Sequence, residues 1–396
     1  MGKELSKGFV LRAILLTLLN GAVIASCEAF LSGRQDSTAR PPMLPSWRPN
    51  RPPLDAHYVG DNACAQCHRS KVARQRTTGM ARALELGSDS AVLRSHPHLS
   101  FGSGAYVYEI ARAGDKSVYS VSDGSKKISE PIVYTFGQGN AGQTYVIFHD
   151  GSYYESRVSF YREIGGLDLT LGSRDMAPAS LNEALGRKMS HNDARDCFGC
   201  HATGAVGGSQ LQLEKLVPGI RCEACHGSGE RHVAAMRSGS VEAKQIFNPG
   251  ILSGDLLSQE FCGSCHRSVD EVFAMPQRGE INNLRFQPYR IFKSKCYQDD
   301  RRVSCIACHD PHAELISNPA FYDSKCLSCH LSSRKPKRES SAKTIPETAE
   351  RKPGGCTVEV RNCVTCHMPK IELPGAHFKF SDHWIRIVRP NEPVPY

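Results

Sequence analysis

Cysteine and histidine recur in this chain in one arrangement, Cys-x-x-Cys-His, and the arrangement appears seven times. The copies pair Cys64 with Cys67, Cys197 with Cys200, Cys222 with Cys225 and Cys262 with Cys265. The remaining three pair Cys305 with Cys308, Cys326 with Cys329 and Cys363 with Cys366. Fourteen of the 17 cysteines are used in this way, which excludes a plain disulfide scaffold. The pattern is that of c-type haem attachment. Two thiols add across the two vinyl groups of a haem, and a two-residue spacer lets one helical turn present both sulfurs to one porphyrin edge. The next residue then reaches the iron as proximal ligand: His68, His201, His226, His266, His309, His330 and His367. A zinc ribbon also opens with Cys-x-x-Cys, but it does not follow every second cysteine with histidine. Seven covalently attached haem c groups are therefore expected, with no nucleic-acid partner.

What seven such irons could do depends on the sixth coordination position. A second strong protein ligand closes the iron for electron transfer, and an open position admits a substrate. Sixteen histidines less seven proximal ones leave nine. His57, His98, His191, His232, His312, His377 and His383 lie near motifs and are the distal candidates. His96 and His149 are expected to be structural. In Cys308-His309-Asp-Pro-His312 the two histidines stand too close in sequence to serve one iron, so His312 is expected to cap a neighbouring haem.

The elements that must position these groups follow from the spacing. Six motifs crowd into the stretch from about Met189 to His383, too densely for an ordinary apolar core. The macrocycles themselves are expected to be the core, wrapped by short helices and loops. The stretch between the first two motifs, whose first cysteines are 133 positions apart, reads differently. Short β-branched and aromatic runs at 106–110, 118–121, 132–136, 145–148 and 153–161 alternate with turn signals such as Asp150-Gly151. Residues 182–188 read as a helix. The expected fold is a mainly α and irregular multihaem cytochrome c fold with haems as core, plus a small antiparallel β insertion. Its divisions are a signal peptide over 1–26, a Pro-rich tether over 27–56, a first haem segment over 57–98, the β insertion over 99–165 and a six-haem domain over 166–396.

The N-terminus addresses the chain. Basic residues through Arg12 precede an apolar run, Ala13 to Ala25, too short and polar for a membrane span. The run ends in Ile24-Ala25-Ser26-Cys27, which resembles a bacterial lipobox, so Cys27 is the candidate lipidation site and lipid anchor. The alternative is ordinary signal cleavage. Either way the protein is expected to be exported, to the periplasm or, through the lipid anchor, to the outer membrane or cell surface. Prolines at 41, 42, 45, 49, 52 and 53 favour an extended spacer beyond it. The formal charge of +9 falls to about 0 once the signal is removed and seven ferric haems with their propionates are counted. The basic stretch 334–352 reads as a solvated loop that could also dock an acidic redox partner protein.

Tyr58-Val-Gly-Asp-Asn-Ala-Cys64-Ala-Gln-Cys67-His68 resembles the first-haem segment of the multihaem cytochrome family that includes the tetrahaem cytochrome of ammonia oxidisers. So do Cys197-Phe-Gly-Cys200-His201-Ala-Thr-Gly and Gly219-Ile-Arg-Cys222-Glu-Ala-Cys225-His226-Gly-Ser-Gly. The Cys308–His312 segment is shared more widely, with hydroxylamine oxidoreductase and pentahaem nitrite reductase. The resemblance covers the haem-bearing parts and implies stacked, mostly bis-histidine haems. Many relatives carry Ser-Gly-His where this chain has Thr78-Gly79-Met80, so Met80 is a candidate sixth ligand of the first haem, or else a core methionine. Cys296 and Cys356 remain as candidates for one disulfide. The leading expectation is an electron carrier with no catalytic residue. A redox enzyme acting on a small nitrogen or sulfur compound at one open haem is the alternative, though the Cys-x-x-Cys-Lys variant is absent. A subunit of a conducting filament is the third reading.

Overall fold

The computed structural model describes residues 47–174, 176–239, 246–275, 281–299, 303–330, 361–389 and 391–395. The expected signal peptide, Cys27, most of the tether, the 334–352 loop and Cys356 lie outside the described residues, and so does any pairing of Cys356 with Cys296. Among the described residues no helix is long and apolar enough to cross a membrane.

The first motif lies in helix α1 (Asp61–Gln75), whose last turns are pinned by buried Val72 and Gln75. The chain then enters one large antiparallel sheet. Its strands are β1 (Leu84–Leu86), β2 (His98–Ser103), β3 (Tyr106–Ala113), β4 (Lys116–Ser122), β5 (Lys127–Phe136), β6 (Gln143–His149), β7 (Ser152–Tyr161), β8 (Gly166–Leu169) and β9 (Gly186–Lys188). Strands β2 to β8 pair in sequence order, while β1 adds to β5 and β9 to β7. Asp150 and Gly151 both take positive φ, 45° and 72°, the turn geometry that matches the right-handed twist of paired strands. Strands β2 and β8 come alongside each other, so the sheet curls almost into a barrel.

Alternation along the strands gives the sheet two apolar faces. Tyr108, Ile110, Tyr119, Val121, Tyr145, Ile147 and Val158 fill the inside. Helix α2 (Ala91–Ser95) and helix α3 (Leu181–Leu185) pack into the same core, and the Tyr119 hydroxyl donates to the Leu185 carbonyl at 3.0 Å. The outer face presents Leu84, Tyr134, Phe136, Val146 and Tyr153 to helix α4 (His191–His201), which carries the second motif. Ser190 and Asp193 form a reciprocal capping box at the start of α4, satisfying two orphan amides there.

The remaining described residues hold three small two-stranded sheets and a series of short helices. The helices are α5 (Cys222–His226), α6 (Glu230–Arg237), α7 (Gly263–His266), α8 (Val269–Ala274), α9 (Gln287–Phe292), α10 (Lys295–Asp299), α11 (Cys305–Cys308), α12 (Pro319–His330) and α13 (Cys363–His367). A π-helical segment, Leu256–Cys262, runs directly into α7.

This architecture corrects the expectation of a mainly α and irregular fold with a small β insertion. The sheet has nine strands and carries the largest apolar core of the described residues. The five anticipated runs all lie inside strands, but β1, β8 and β9 are three or four residues long and too short for alternation to reveal them. Residues 182–188 divide into the end of α3 and strand β9. The expected tether also ends sooner. Trp47 is buried and donates from Nε1 to the Ala224 carbonyl at 2.8 Å, Asn50 Nδ2 donates to the Ser264 carbonyl at 2.6 Å, and Arg48 pairs with Glu260 at 2.7 Å. One large aromatic with a satisfied N–H outweighs the proline-rich composition around it.

Candidate functional site

Every Cys-x-x-Cys-His copy folds as a single helical turn. The first sits early in α1, and the second and sixth close α4 and α12. The third and seventh are the whole of α5 and α13. The fourth spans the π segment and α7, and the fifth spans α11 with His309 just beyond it. A helical turn places cysteines i and i+3 on one face, the disposition two thioether bonds to one ring edge require.

The histidines are prepared as metal ligands. His201 donates from Nδ1 to the Ala83 carbonyl at 3.0 Å, His226 to that of Phe247 at 2.9 Å, and His367 to that of Arg386 at 2.8 Å. A carbonyl only accepts, so Nδ1 holds the proton and Nε2 keeps its lone pair. Burial lowers the pKa of His201, His226, His266 and His309, favouring the neutral, ligating form. His266 keeps exposed surface, although the protein around it desolvates the ring.

Three proximal histidines face a second imidazole from another part of the chain. His68 faces His232 of α6, with ring centroids 6.5 Å apart and planes 15° from parallel. His226 faces His312 at 6.0 Å and 17°. His309 faces His383 at 6.3 Å and 44°. These separations are too long for face-to-face stacking. They match two imidazoles on opposite sides of one metal, since a metal–nitrogen bond of about 2 Å on each side plus the ring half-widths gives about 6 Å. His383 has its Nδ1 on the Ser381 carbonyl at 3.0 Å, and burial brings its pKa down to about 4. The donor set thus fits haem iron.

The turns are also joined to one another. Cys64 of the first lies beside Cys222 of the third, Cys200 of the second beside Cys265 of the fourth, Cys262 of the fourth beside Cys305 of the fifth, and Cys326 of the sixth beside Cys363 of the seventh. Cys225 shares an apolar cluster with Cys262, and α11 packs on α12. The turns therefore form a line in the order first, third, fourth, fifth, sixth, seventh, with the second attached to the fourth. Cys67 and His68 at one end, and Cys329, His330 and Cys366 at the other, are exposed.

The other candidates are placed elsewhere. Met80 is half-buried in the loop after α1, its carbonyl accepting from the Ile220 amide at 2.9 Å. His57 is exposed, and its carbonyl accepts from the Ser228 hydroxyl. His98 is exposed on β2, and His191 is exposed at the start of α4. His377 commits Nε2 to Asp168 at 2.7 Å, with its ring 4.9 Å from Tyr161. His149 pairs with Glu130 at 2.8 Å, and His96 donates from Nδ1 to the Val92 carbonyl at 2.9 Å. Cys296 lies close enough to Cys308 and Cys326 to act on both.

Sequence reasoning missed two groups that hold the ligands. Arg290 and Asp382 are both fully buried and form a two-pronged ion pair at 2.8 and 2.7 Å beside His383. Burial alone would raise the Asp382 carboxyl, but hydrogen bonds from Arg290 and the Trp384 amide outweigh it and hold it low. Glu223, inside the third motif, is a buried carboxylate bonded to three backbone amides. An acid between two motif cysteines was a visible signal, whereas Arg290 lies 92 residues from its partner.

Residues 170–227, which include the second and third motifs, match the family described as cytochrome c554 and c-prime. The crystal structure of the outer cell wall cytochrome OcwA is similar over 84% of this chain and 80% of its own, with 16% identity and a TM-score of 0.46. No curated protein matches the chain. Two of the seven Cys-x-x-Cys-His turns lie inside that match, so over residues 170–227 the chain is similar to a c-type cytochrome family, and its paired imidazoles fit an iron between them.

Proposed function

We propose that the protein is an exported electron carrier holding seven haem c groups, with His68 and His232, His226 and His312, and His309 and His383 as axial pairs for the first, third and fifth. The observation that carries this reading is the set of three cross-motif imidazole pairs at 6.0–6.5 Å. When bound, haem supplies an iron that moves between ferric and ferrous states, and neighbouring haems in contact pass electrons. The chain's part is to fix that iron in one coordination shell, because two tethered imidazoles admit no substrate and need little rearrangement between oxidation states. His232 faces His68 and so takes the sixth position given above to Met80. His201, His266, His330 and His367 are the proximal ligands of the other four haems.

The continuous line of turns, exposed at both ends, supports a relay between two redox partner proteins or between a partner and the membrane. Export is the reading of the N-terminal residues and of attachment chemistry carried out beyond the cytoplasm, and anchoring rests on Cys27. Under denaturing conditions the mature protein should exceed its polypeptide mass by seven haems; six or fewer in fully matured protein would overturn the count. Cys27→Ser should release the haem-loaded protein from the membrane fraction, and unchanged fractionation would remove the anchor.

A further inference from the structure

Helices α1 and α6 bring His68 and His232 face to face, yet neither helix has a side chain of its own capping its first turn. The N-cap of α1 is Gly60, at φ 78°, and that of α6 is Gly229. Both vacant caps are served by one distant group. Glu223 is 3% exposed. Its Oε2 accepts from the Gly60 amide at 2.8 Å, and its Oε1 accepts from Gly229 at 2.8 Å and from Val59 at 3.0 Å. A carboxylate is suited to two helix N-termini at once, because each presents unpaired N–H groups and the positive end of the helix dipole. Neither glycine could supply a cap of its own.

We propose that Glu223 is a positioning residue that sets the separation of His68 and His232. His232 lies three positions beyond Gly229, and His68 lies eight positions beyond Gly60. The path from the carboxylate to each imidazole is therefore short and mostly helical. A second tie, the Ser228 hydroxyl on the His57 carbonyl, joins the same two strands of chain but reaches neither cap. The inference rests on the reading that His68 and His232 share one iron.

The test uses the full haem-loaded protein, with seven haems verified by mass in each variant. Ferrous protein is titrated with carbon monoxide, which enters only where an axial position is open. His232→Ala should bind one equivalent more than the parent. Glu223→Ala should gain that same equivalent, because the cap of α6 is lost and His232 leaves the iron. Glu223→Gln turns a donor NH2 toward one of the three amides. It should gain the site at saturating carbon monoxide, with weaker apparent affinity because the displaced state is less populated; it carries the test if the alanine variant does not load its haems. If His232→Ala gains one equivalent and both Glu223 variants bind no more than the parent, the positioning role is wrong and the axial pairing stands. If His232→Ala itself gains nothing, the pairing fails and the inference with it.

Discussion

An imidazole ligates well when one nitrogen is held and the other is left bare. His201, His226, His367 and His383 all meet that condition, each by giving its Nδ1 proton to a backbone carbonyl. Which residues form the candidate turns could be read from spacing alone, because Cys-x-x-Cys-His is a local signal within one helical turn. Which histidines face each other could not, since the partners of His68, His226 and His309 come from elsewhere in the chain. For His312 the expectation was a motif other than its own, and its ring is set against His226. Met80 shows the limit of local analogy. Its position matched a ligand slot by likeness to other sequences, but His232 is the group set against His68. Met80→Ala should therefore leave the low-spin spectrum and all haem potentials unchanged. A new high-spin signal in that variant would restore Met80 as a ligand.

Elements in this molecule are coupled through side chains that belong to two of them at once. Phe198 is inside the second motif, yet it is fully buried against the sheet, 5.0 Å from Tyr134 and 5.3 Å from Phe136, both near edge-on. The sheet is thus the seat of the second turn. Phe198→Ala would leave a cavity where four strands meet α4 and should destabilise the protein by about 3–5 kcal/mol. A chemical denaturation midpoint lowered to that extent, with seven haems still attached, is the expected result; an unmoved midpoint would mean that sheet and motif are independent. The strand-rich gap was legible because β-branched and aromatic runs with glycine turns are local. Its extent was not, because β1 and β9 become strands only by pairing with β5 and β7, and three residues carry no period of their own.

Across the whole molecule two kinds of core divide the chain. The sheet has an ordinary apolar interior and seats the second turn, and the later turns sit in a region of small, separate apolar clusters where helices of four to twelve residues predominate. Crowding of motifs announced the second kind, since so few residues per turn cannot build a conventional core. The order of the turns in space was hidden, because cysteines from different turns meet without regard to sequence order: the third stands between the first and the fourth, and the second is a side branch. Such a line with exposed ends is what a relay needs, and it depends on axial pairs that close the irons. Near-infrared magnetic circular dichroism of the oxidised protein counts bis-histidine ferric haems directly. At least three of the seven are predicted, with one lost in each of His232→Ala, His312→Ala and His383→Ala. Fewer than three in the parent protein, or no loss in these variants, would contradict the assignment of the imidazole pairs to iron.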